Sequence, residues 1–418
     1  MLVFVIGRRM EESPKYRRGR TLAALRHPNY RLWFWGQMVS LIGTWMQTTA
    51  QGFLVYELTR SPIYLGYVGF ASGIPTWFLT LYGGVVADRL SRRSLIILTQ
   101  SCMMALAFIL AAATFLHIVQ PWHILVLACL LGIANSFDAP ARQAFVSELV
   151  TREDLTNAIA LNSTMFQSAT IVGPAAAGVT YALFGAGWCF MINGFSFIAV
   201  IIALRLMKLR PREQPHQRAS AFEAIREGLG YVVNHSLIMV LIAMVAISSM
   251  LALSIVTIIP EWAVNILGGN ATTNGLLLSS RGAGSLIGAL LIASLGRTVA
   301  RGRLLTVGSL VYPVLLFVFA FLRWLPLSLV VLAGVGVGTI LVNNLANALV
   351  QTSTPDHLRG RVMGAYTWIF FGFMPLGALW SGTMAEHLGA PAAVMINGVL
   401  ALLFAVSVAA FFPKLREQ

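Results

Sequence analysis

The sequence is poor in charge: Asp, Glu, Lys and Arg together fill 11% of its 418 positions. A soluble domain normally carries about 25% charged residues. Hydrophobic residues make up 57% of the chain, and the mean hydropathy is +0.77. No water-soluble fold can bury this much apolar surface, so the scarcity of charge indicates an integral membrane protein.

Residues that build catalytic and metal sites are scarce as well. The three cysteines, Cys102, Cys129 and Cys189, match neither a disulfide framework nor a zinc site. All seven histidines lie in predicted loops or near the ends of apolar segments, which argues against a buried histidine relay. The sequence also lacks a Gly-x-x-x-x-Gly-Lys-Ser/Thr loop, so ATP is not the direct energy source. We therefore expect no enzyme activity, no metal and no cofactor.

Twelve apolar segments are separated by polar or turn-forming junctions. A spanning helix needs roughly 20 mostly apolar residues, and continuous runs of this kind are not typical of membrane strands. We predict an all-α membrane protein with 12 transmembrane helices in two six-helix pseudo-symmetric bundles. The predicted spans are residues 31–56, 62–87, 94–117, 121–147, 155–184, 187–206, 236–259 with an extension to 267, 273–296, 304–322, 326–351, 360–385 and 391–412.

The two halves of the chain repeat each other. Gly132 and Gly336 stand 204 positions apart, and so do the identical tetrapeptides at 191–194 and 395–398. Six spans in each half imply parallel repeats related by an axis along the membrane normal. The predicted division is a basic segment 1–29, a first bundle 30–206, a linker 207–235 with a short amphipathic helix, a second bundle 236–412 and a tail 413–418.

The net charge of +14 is distributed as in a membrane protein, not as in a nucleic-acid-binding protein. All but three of the 29 Lys and Arg residues fall in the termini and in the junctions on one side of the membrane. The exceptions are Arg60, Arg281 and Arg323. The positive-inside rule then predicts that both termini are cytosolic.

A cluster of four charges follows Gly84 between the second and third spans. Such a cluster cannot lie in hydrocarbon, so it marks a short aqueous hairpin. The charged residues are Asp88, Arg89, Arg92 and Arg93. A plain stop-transfer loop remains the alternative to a packed structural device.

Asp138 and Arg142, one turn apart, end the fourth span on the same side of the membrane. We predict that Asp88 caps the N-terminus of span 11 near residues 358–361, since anions are stabilised at helix N-termini. We further predict that Arg89 or Arg92 pairs with Asp138. Together these contacts would close the cytosolic side in an outward-open state.

The hairpin resembles the Gly-x-x-x-Asp-Arg-x-Gly-Arg-Arg signature of the major facilitator superfamily, with Ser91 where that family usually has glycine. Gly173-Pro174 followed by Gly178 resembles the span 5 signature of its drug/proton antiporters, without the common Gly-Gly pair. Residues 139–145 and 227–232 are similar to the branch of enterobactin exporters and macrolide efflux proteins. The resemblance implies a monomeric transporter of the bacterial cytoplasmic membrane that exchanges a small-molecule cargo for protons.

Glycine and proline in span 5 also carry a packing expectation of their own. Small residues allow helices to approach closely in lipid, and proline bends a helix. We expect Gly173 and Pro174 to pack span 5 against a neighbour, span 8, and to seal the two halves against proton leak.

Polar side chains follow single faces of two spans, at spacings of three and four residues. Two interpretations are open, namely hydrogen bonds between helices and the lining of a wet cavity. Aromatic residues among the spans favour an organic cargo over an inorganic ion. The candidate cargo residues are Thr44, Gln47 and Gln51 of span 1, Asn162 of span 5, Asn343 and Asn347 of span 10, and Tyr366 of span 11.

Arg281 lies deep in span 8, roughly 13 Å from its outer end at about 1.5 Å per residue. Glu261, which follows Pro260 in span 7, is the nearest acid in the sequence. A structural ion pair or a snorkelling arginine is one interpretation. The other is functional: Arg281 binds an anionic cargo, or Glu261 exchanges a proton beside it.

The favoured function is proton-coupled export of a bulky amphipathic molecule, such as a siderophore or a drug, by alternating access. An uptake permease of the same fold is the first alternative, because the fold transports in either direction. A membrane receptor that transports nothing is the second.

Overall fold

The computed structural model of the chain describes residues 22–209, 221–294 and 301–417. Most of the basic segment and part of the linker lie outside these residues. In the described ranges the chain forms twelve long helices, one shorter helix and no strand. They are α1 (Pro28–Thr59), α2 (Pro62–Arg89), α3 (Arg92–Phe115), α4 (Pro121–Leu149), α5 (Leu155–Phe184), α6 (Ala186–Leu206), α7 (Ala221–Asn234), α8 (Ser236–Ile266), α9 (Ala271–Ser294), α10 (Arg301–Phe319), α11 (Leu325–Ser353), α12 (Asp356–Leu388) and α13 (Ala390–Phe411).

Nine of the described helices are long and apolar enough to cross a membrane. The helix α2 is a tenth if its two parts, which meet at 55° between Thr80 and Tyr82, count as one span. The helices α1 and α5 are 32 and 30 residues long, but their many polar side chains lower their hydropathy. The predicted all-α membrane fold is confirmed, while twelve as the number of spans stays a prediction.

Local sequence signals set several helix ends. Proline, which lacks an N–H and has a fixed φ, is favoured in the first turn of a helix. It opens α1, α2 and α4 as Pro28, Pro62 and Pro121. The turns α5–α6 and α12–α13 are single glycines, Gly185 and Gly389, with φ of 86° and 83°. A side chain disfavours this left-handed conformation, so glycine permits both sharp reversals.

The repeat seen in the sequence is also a repeat of packing. The helices α4 and α11 cover equivalent ranges, offset by 204 residues. Gly132 of α4 lies against the backbone of Ser72 on α2, and Gly336 of α11 lies against the backbone of Arg281 on α9. The same positions in the two halves therefore bring equivalent helices into close contact.

Two helix pairs make the main contacts between the halves, α2 with α12 and α5 with α9. Along the first pair the helices run antiparallel, and small residues allow their backbones to approach. The facing residues, in order along α2, are Gly66 with Gly382, Gly69 with Ala378, Gly73 with Pro375, and Trp77 with Gly372.

The ends of the helices differ in composition. We call the end that holds the start of α1, the end of α13 and the Lys- and Arg-rich junctions the basic end, and the other the opposite end. At the basic end, hydrogen bonds hold together segments that are distant in sequence. His27 bonds to Asp154, and Arg93 donates to the carbonyl oxygens of Arg205 and Met207.

Glycines bring α5 and α9 together near the opposite end. A Cβ on Gly178 would stand 2.9 Å from the carbonyl oxygen of Ala271, and one on Gly275 would overlap the carbonyl oxygen of Pro174. The Thr272 hydroxyl donates to the carbonyl oxygen of Gly178 over 3.2 Å. Span 5 thus packs against span 8, as expected.

Of the two residues expected to make this contact, Pro174 packs against α9 and Gly173 does not. A Cβ on Gly173 would meet Trp45 and, at 2.9 Å, the carbonyl oxygen of Ile42, both on α1 of the same half. Five residues separate Gly173 from Gly178, which turns them about 140° apart around the helix. Gly173 therefore packs the first half internally, and Gly178 faces α9.

We predict that Gly275→Leu holds the two halves apart at the opposite end, because the new side chain has no space beside Pro174. Overpacking costs about 1–3 kcal/mol, so the population with separated ends should rise about 5- to 150-fold. Spin labels at Ile118 and Phe321, both exposed at that end, should show the longer distance by pulsed electron paramagnetic resonance.

The matched control is Gly230→Leu in α7, where an added Cβ meets nothing within 4 Å. It should leave the label distance unchanged. An unchanged distance in the well-folded Gly275→Leu protein would contradict the role given to this contact.

Candidate functional site

A space between the halves opens toward the basic end. The environment of one face of α5 shows this opening. The residues of this face recur every three or four positions along the whole helix. Nearer the opposite end, Thr170 and Gly178 on this face pack against α9. Nearer the basic end, Thr156, Ala160 and Ser163 on the same face are exposed. The helices α5 and α9 therefore diverge toward the basic end.

Part of the polar stripe of α1 faces this space. Thr48 is exposed and Thr44 is half-buried in the middle of the helix. Trp35 and Val39, which are 59% and 49% exposed, mark the lipid side of α1. At 100° per residue, Thr44 and Thr48 lie on the other side of the helix. Cavity lining is thus the better interpretation for these two threonines.

The glutamines of the same stripe have a different environment. Gln47 is buried, and its side-chain oxygen accepts a hydrogen bond of 2.7 Å from Asn193 on α6. Gln51 is buried as well, with 6% exposure. The bond from Asn193 joins two helices of the same half, so interhelical hydrogen bonding is the interpretation that fits Gln47.

Polar groups of the second half are linked to one another. Asn343 on α11 donates to the Ser248 hydroxyl on α8 over 3.2 Å, and the Tyr366 hydroxyl on α12 donates to the carbonyl oxygen of Asn343 over 3.1 Å. Asn347 accepts a hydrogen bond of 2.6 Å from Gln351. The network fixes α8, α11 and α12 relative to each other at the depth of the polar stripe.

Two candidate asparagines keep a free acceptor. The side-chain oxygens of Asn162 on α5 and Asn343 on α11 are buried and have no hydrogen-bond partner. Aromatic rings lie where α2 meets α12: Trp77 of α2 and Trp368 of α12 have ring centroids 5.3 Å apart. The site therefore combines apolar aromatic surface with a few unpaired polar atoms.

Glu261 and Arg281 do not form the ion pair that the sequence left open. Glu261 is 7% exposed and one of its oxygens, Oε2, has no hydrogen-bond partner. The Glu386 carboxylate of α12, the Tyr56 hydroxyl of α1 and the backbone of Ala390 on α13 lie near it. Within the described residues no acid lies within 4 Å of the Arg281 guanidinium.

The helix that carries Glu261 is irregular. Two π-helical stretches, Ser248–Leu253 and Trp262–Ile266, interrupt α8. Such wide turns are rare in proteins as a whole, and those that occur are often found at functional sites. Ser248 at the first stretch binds Asn343, and Glu261 directly precedes the second. The apolar sequence of this helix gave no signal for these turns.

The charge cluster at the basic end ties helices of the first half together. Arg92 pairs with Asp88 over 3.3 Å and with Glu148 of α4 over 3.0 Å, and it donates to the carbonyl oxygen of Ala144 over 2.8 Å. Gly84 precedes this cluster in α2, and a Cβ there would meet nothing within 4 Å. Arg89 is exposed.

Asp138 is fully buried and has partners other than those predicted. Arg142 meets its carboxylate over 2.5 Å, the Thr99 hydroxyl donates to it over 2.8 Å, and the Gln100 amide donates over 3.1 Å. The predicted pair of Asp138 with Arg89 or Arg92 is therefore absent from this state of the protein.

The start of α12 also makes contacts of its own. Arg359 pairs with Asp356 over 2.5 Å, and Arg361 pairs with Glu227 of α7. A Cβ on Gly360 would meet nothing within 4 Å, whereas Gly228 of α7 packs against the backbone of Arg361. The cap of Asp88 on α12 was predicted for an outward-open state, whereas here the halves are packed at the opposite end. That cap stays a prediction.

A contact that the sequence did not suggest closes the opposite end. Glu386, near the end of α12, accepts a hydrogen bond of 2.6 Å from the Ser61 hydroxyl and one of 3.3 Å from the backbone N–H of Ile63. Both donors lie at the N-terminus of α2, where a carboxylate is stabilised. We call this contact the opposite-end latch. The Ser61-Pro62 helix start was the one sequence signal for it.

A second cross-half bond lies close to the latch. Asn265 of α8 donates to the Tyr56 hydroxyl of α1 over 2.6 Å. Beside it a cavity of about 380 Å³ lies between the ends of α1, α5, α8 and α9. It contains Glu57, whose carboxylate accepts a 2.5 Å hydrogen bond from Tyr181. This cavity lies at the opposite end, beyond the contacts that close it.

The chain is similar to exporters over almost its whole length. A family model described as a transmembrane secretion effector matches residues 19–418. The multidrug efflux pump Tap of Mycolicibacterium fortuitum is 27% identical over 384 residues, 90% of this chain and 93% of that protein. The staphyloferrin A transporter of Staphylococcus aureus is 22% identical (88% and 92% covered), and the enterobactin exporter EntS of Citrobacter koseri is 26% identical (82% and 81% covered).

Solved structures support the same fold. A crystal structure of the nucleoside transporter NupG superimposes with a TM-score of 0.69 at 13% identity, covering 94% of this chain and 99% of NupG. A bacterial homolog of the human lysosomal transporter Spinster, in an inward-facing and unoccupied conformation, gives a TM-score of 0.71 at 12% identity, covering 96% and 98%. At such low identity the likeness concerns the fold alone.

We predict that Glu386→Gln loosens the first turn of α2, because the Ile63 N–H loses its charged acceptor. A carboxylate at a helix N-terminus contributes about 0.3–1 kcal/mol, so amide exchange in the segment 61–67 should accelerate about 2- to 5-fold. Hydrogen–deuterium exchange with mass spectrometry measures this change.

The control for the lost charge is Glu153→Gln, a change at an exposed carboxylate of the basic end. It should leave the exchange of segment 61–67 as in the parent. Equal exchange in the parent and Glu386→Gln proteins would mean that the latch contributes nothing to closure.

Proposed function

The chain belongs to the transmembrane secretion effector family of the major facilitator superfamily, and we propose that it exports a bulky amphipathic organic molecule in exchange for protons. Transport itself follows from the family. Export, and a siderophore or a drug as cargo, are supported by the full-length relatives, which are named as a multidrug efflux pump, a staphyloferrin A transporter and an enterobactin exporter.

The observation that carries the proposal is the contrast between the two ends. At the opposite end the halves are joined by the latch and by the packing of Gly178 of α5 against α9. At the basic end the same face of α5 is exposed. Two repeats that rock about a central site expose it to one side at a time. This arrangement fits a transporter whose cavity is open at the basic end.

The basic end is the cytosolic end in this proposal. Positive charge concentrates in cytosolic loops of membrane proteins, and all but three Lys and Arg residues belong to that side. An open basic end then presents the cavity to cytosolic cargo. We place the protein as a monomer in the bacterial cytoplasmic membrane, with exposed apolar residues such as Phe195 and Leu290 in contact with lipid.

The composition of the site fits an amphipathic cargo. Thr44 and Thr48 offer hydroxyl groups from the first half, and Asn343 offers a free amide oxygen from the second. The indoles of Trp77 and Trp368 provide an aromatic surface where α2 meets α12. Pockets for organic ligands usually combine such apolar surface with a few polar groups.

Glu261 is the acid that we assign to proton exchange. Burying an ionised carboxylate without partners is costly, and closure of the opposite end leaves Glu261 buried with a free oxygen beside Glu386. A proton on Glu261 removes this cost and so favours closure. Asp138 is a weaker candidate, since Arg142, Thr99 and Gln100 already satisfy its carboxylate.

The charge cluster at the basic end serves as the second gate in this proposal. When that end closes, Asp88 at the end of α2 approaches the N-terminus of α12, which runs antiparallel to it. Asp88 then caps α12 as Glu386 caps α2 in the present state. The arginines of the hairpin, together with Asp138 and Arg142, keep the first half rigid around this switch.

The test is proton movement coupled to cargo in proteoliposomes that hold a pH-sensitive dye and a pH gradient. Across a panel of siderophores and drugs, at least one compound should discharge the gradient with the parent protein. Glu261→Gln should bind the same compound but discharge the gradient at least about 10-fold more slowly, a loss within the range of a missing proton-transfer group.

Glu153→Gln, which removes an exposed carboxylate of the basic end, is the control and should behave as the parent. If cargo accumulates equally with and without the pH gradient, proton exchange is not the drive. If Glu261→Gln still exchanges protons at the parent rate, the proton site lies elsewhere.

A separate prediction concerns the basic-end gate. Asp88→Asn should fold with a stability within about 1 kcal/mol of the parent, because a partly exposed ion pair contributes little. It should nevertheless stop transport, since the outward-open state loses the cap on α12. Cargo flux and thermal unfolding of the same purified sample measure the two effects.

Asp356→Asn provides the comparison, because this carboxylate is 89% exposed and lies in the first turn of α12 itself. It should transport at nearly the parent rate. Normal flux through Asp88→Asn would rule out the gate.

A further inference from the structure

Arg281 is a cation deep in the membrane region that the proposed exchange leaves unexplained. It follows the start of α9 by ten residues, or roughly 15 Å at about 1.5 Å per residue. Its Nε atom is buried and has no hydrogen-bond partner. In the described ranges it also lacks an acidic partner, in contrast to Arg142, which pairs with Asp138.

The position of Arg281 on α9 points it into the space between the halves. Leu276, Ile287 and Leu290, which are 41%, 51% and 60% exposed, mark the lipid side of the helix. At 100° per residue Arg281 lies about 150° from the middle of that side. Gly275, Ser279 and Gly282 face α5, and Gly284 and Gly288 face α11. Arg281 lies beside this second group, with its backbone against Gly336 of α11, on the side of the helix away from lipid.

A second unpaired group shares the face of Arg281. Asn274, two helical turns nearer the opposite end, is 1% exposed, and its side-chain oxygen has no hydrogen-bond partner. This face therefore carries one permanent cation and one buried acceptor, neither of which the protein satisfies. Buried polar groups are rarely left this way without a ligand or water to satisfy them.

The chemistry of arginine narrows the choice of ligand. A guanidinium stays protonated in proteins and presents a planar set of N–H donors that matches a carboxylate or similar oxyanion. The interior acid nearest in sequence, Glu261, faces Glu386 and Ala390 instead. Among the carboxylates of the described residues, none then competes with a ligand for Arg281.

We propose that Arg281 binds the cargo and that the cargo is an organic anion, with a carboxylate or similar oxyanion on an amphipathic, ring-containing body. This inference rests on the proposed function, since it names the cargo class of the same cavity. The oxyanion meets the guanidinium of α9. The apolar rings reach the aromatic surface of Trp77 and Trp368, and a cationic cargo is repelled by the same charge.

The test is equilibrium binding to the purified protein in nanodiscs of neutral lipid, without any pH gradient. Fluorescein and tetramethylrhodamine ethyl ester are the probes, because they share a xanthene ring system but carry opposite charges. By fluorescence anisotropy the parent should bind fluorescein at least about 10-fold more tightly than the rhodamine ester, about 1.4 kcal/mol.

Arg281→Gln should lose at least about 10-fold in fluorescein affinity, as expected when a buried charge partner is removed. Arg281→Lys should retain part of the preference, because it keeps the charge without the planar fork. Arg416→Gln removes an equal charge from the exposed tail and should bind both probes as the parent does.

Equal binding of the two probes by the parent, tighter binding of the rhodamine ester, or no binding of fluorescein would overturn the assignment. So would an Arg281→Gln protein that keeps the preference for fluorescein. If that variant does not fold, the parent's preference decides alone. If the transport assay showed proton-coupled export of a cationic compound and the binding assay showed no preference for fluorescein, the proposed function would stand and this inference would be wrong.

Discussion

The antiparallel contact of α2 with α12 is the constraint on which the rest of the structure depends. Since the two helices run in opposite directions along the boundary of the halves, the C-terminal end of each meets the N-terminal end of the other. A carboxylate at the end of one helix can therefore cap the start of its partner. Glu386 does so at the opposite end, and Asp88 occupies the equivalent place at the basic end.

Close backbone approach makes such caps possible. Lipid offers no hydrophobic gain for helix association, so helices in a membrane associate through packing and hydrogen bonds. Gly66 and Gly382 allow α2 and α12 to touch beside the latch, and Gly178 and Gly275 do the same for α5 and α9. Because these contacts crowd one end, the halves diverge at the other, and the central polar groups become accessible from the basic end.

The fold could be predicted from the sequence, because long apolar segments in a membrane have few alternatives to helices, and the 204-residue repeat set the pairing of equivalent helices. Helical spacing also placed Thr44 and Gln47 on one stripe, but it did not reveal that Gln47 turns toward Asn193 within its own half. The expectation for span 5 likewise put both Gly173 and Pro174 at the interface with α9, where Pro174 and Gly178 lie but Gly173 does not. Partners in space, such as Glu386 for Ser61, depend on how helices cross, which spacing along one helix does not determine.

The central claim is that the two ends close in alternation. Its most direct test is a pair of distances in the parent protein, measured by pulsed electron paramagnetic resonance. One label pair at the opposite end, Ile118 with Phe321, and one at the basic end, Leu90 with His357, use exposed positions of both halves. As pH or cargo concentration is varied, one distance should shorten whenever the other lengthens. Two distances that change together, or independently of each other, would contradict the account.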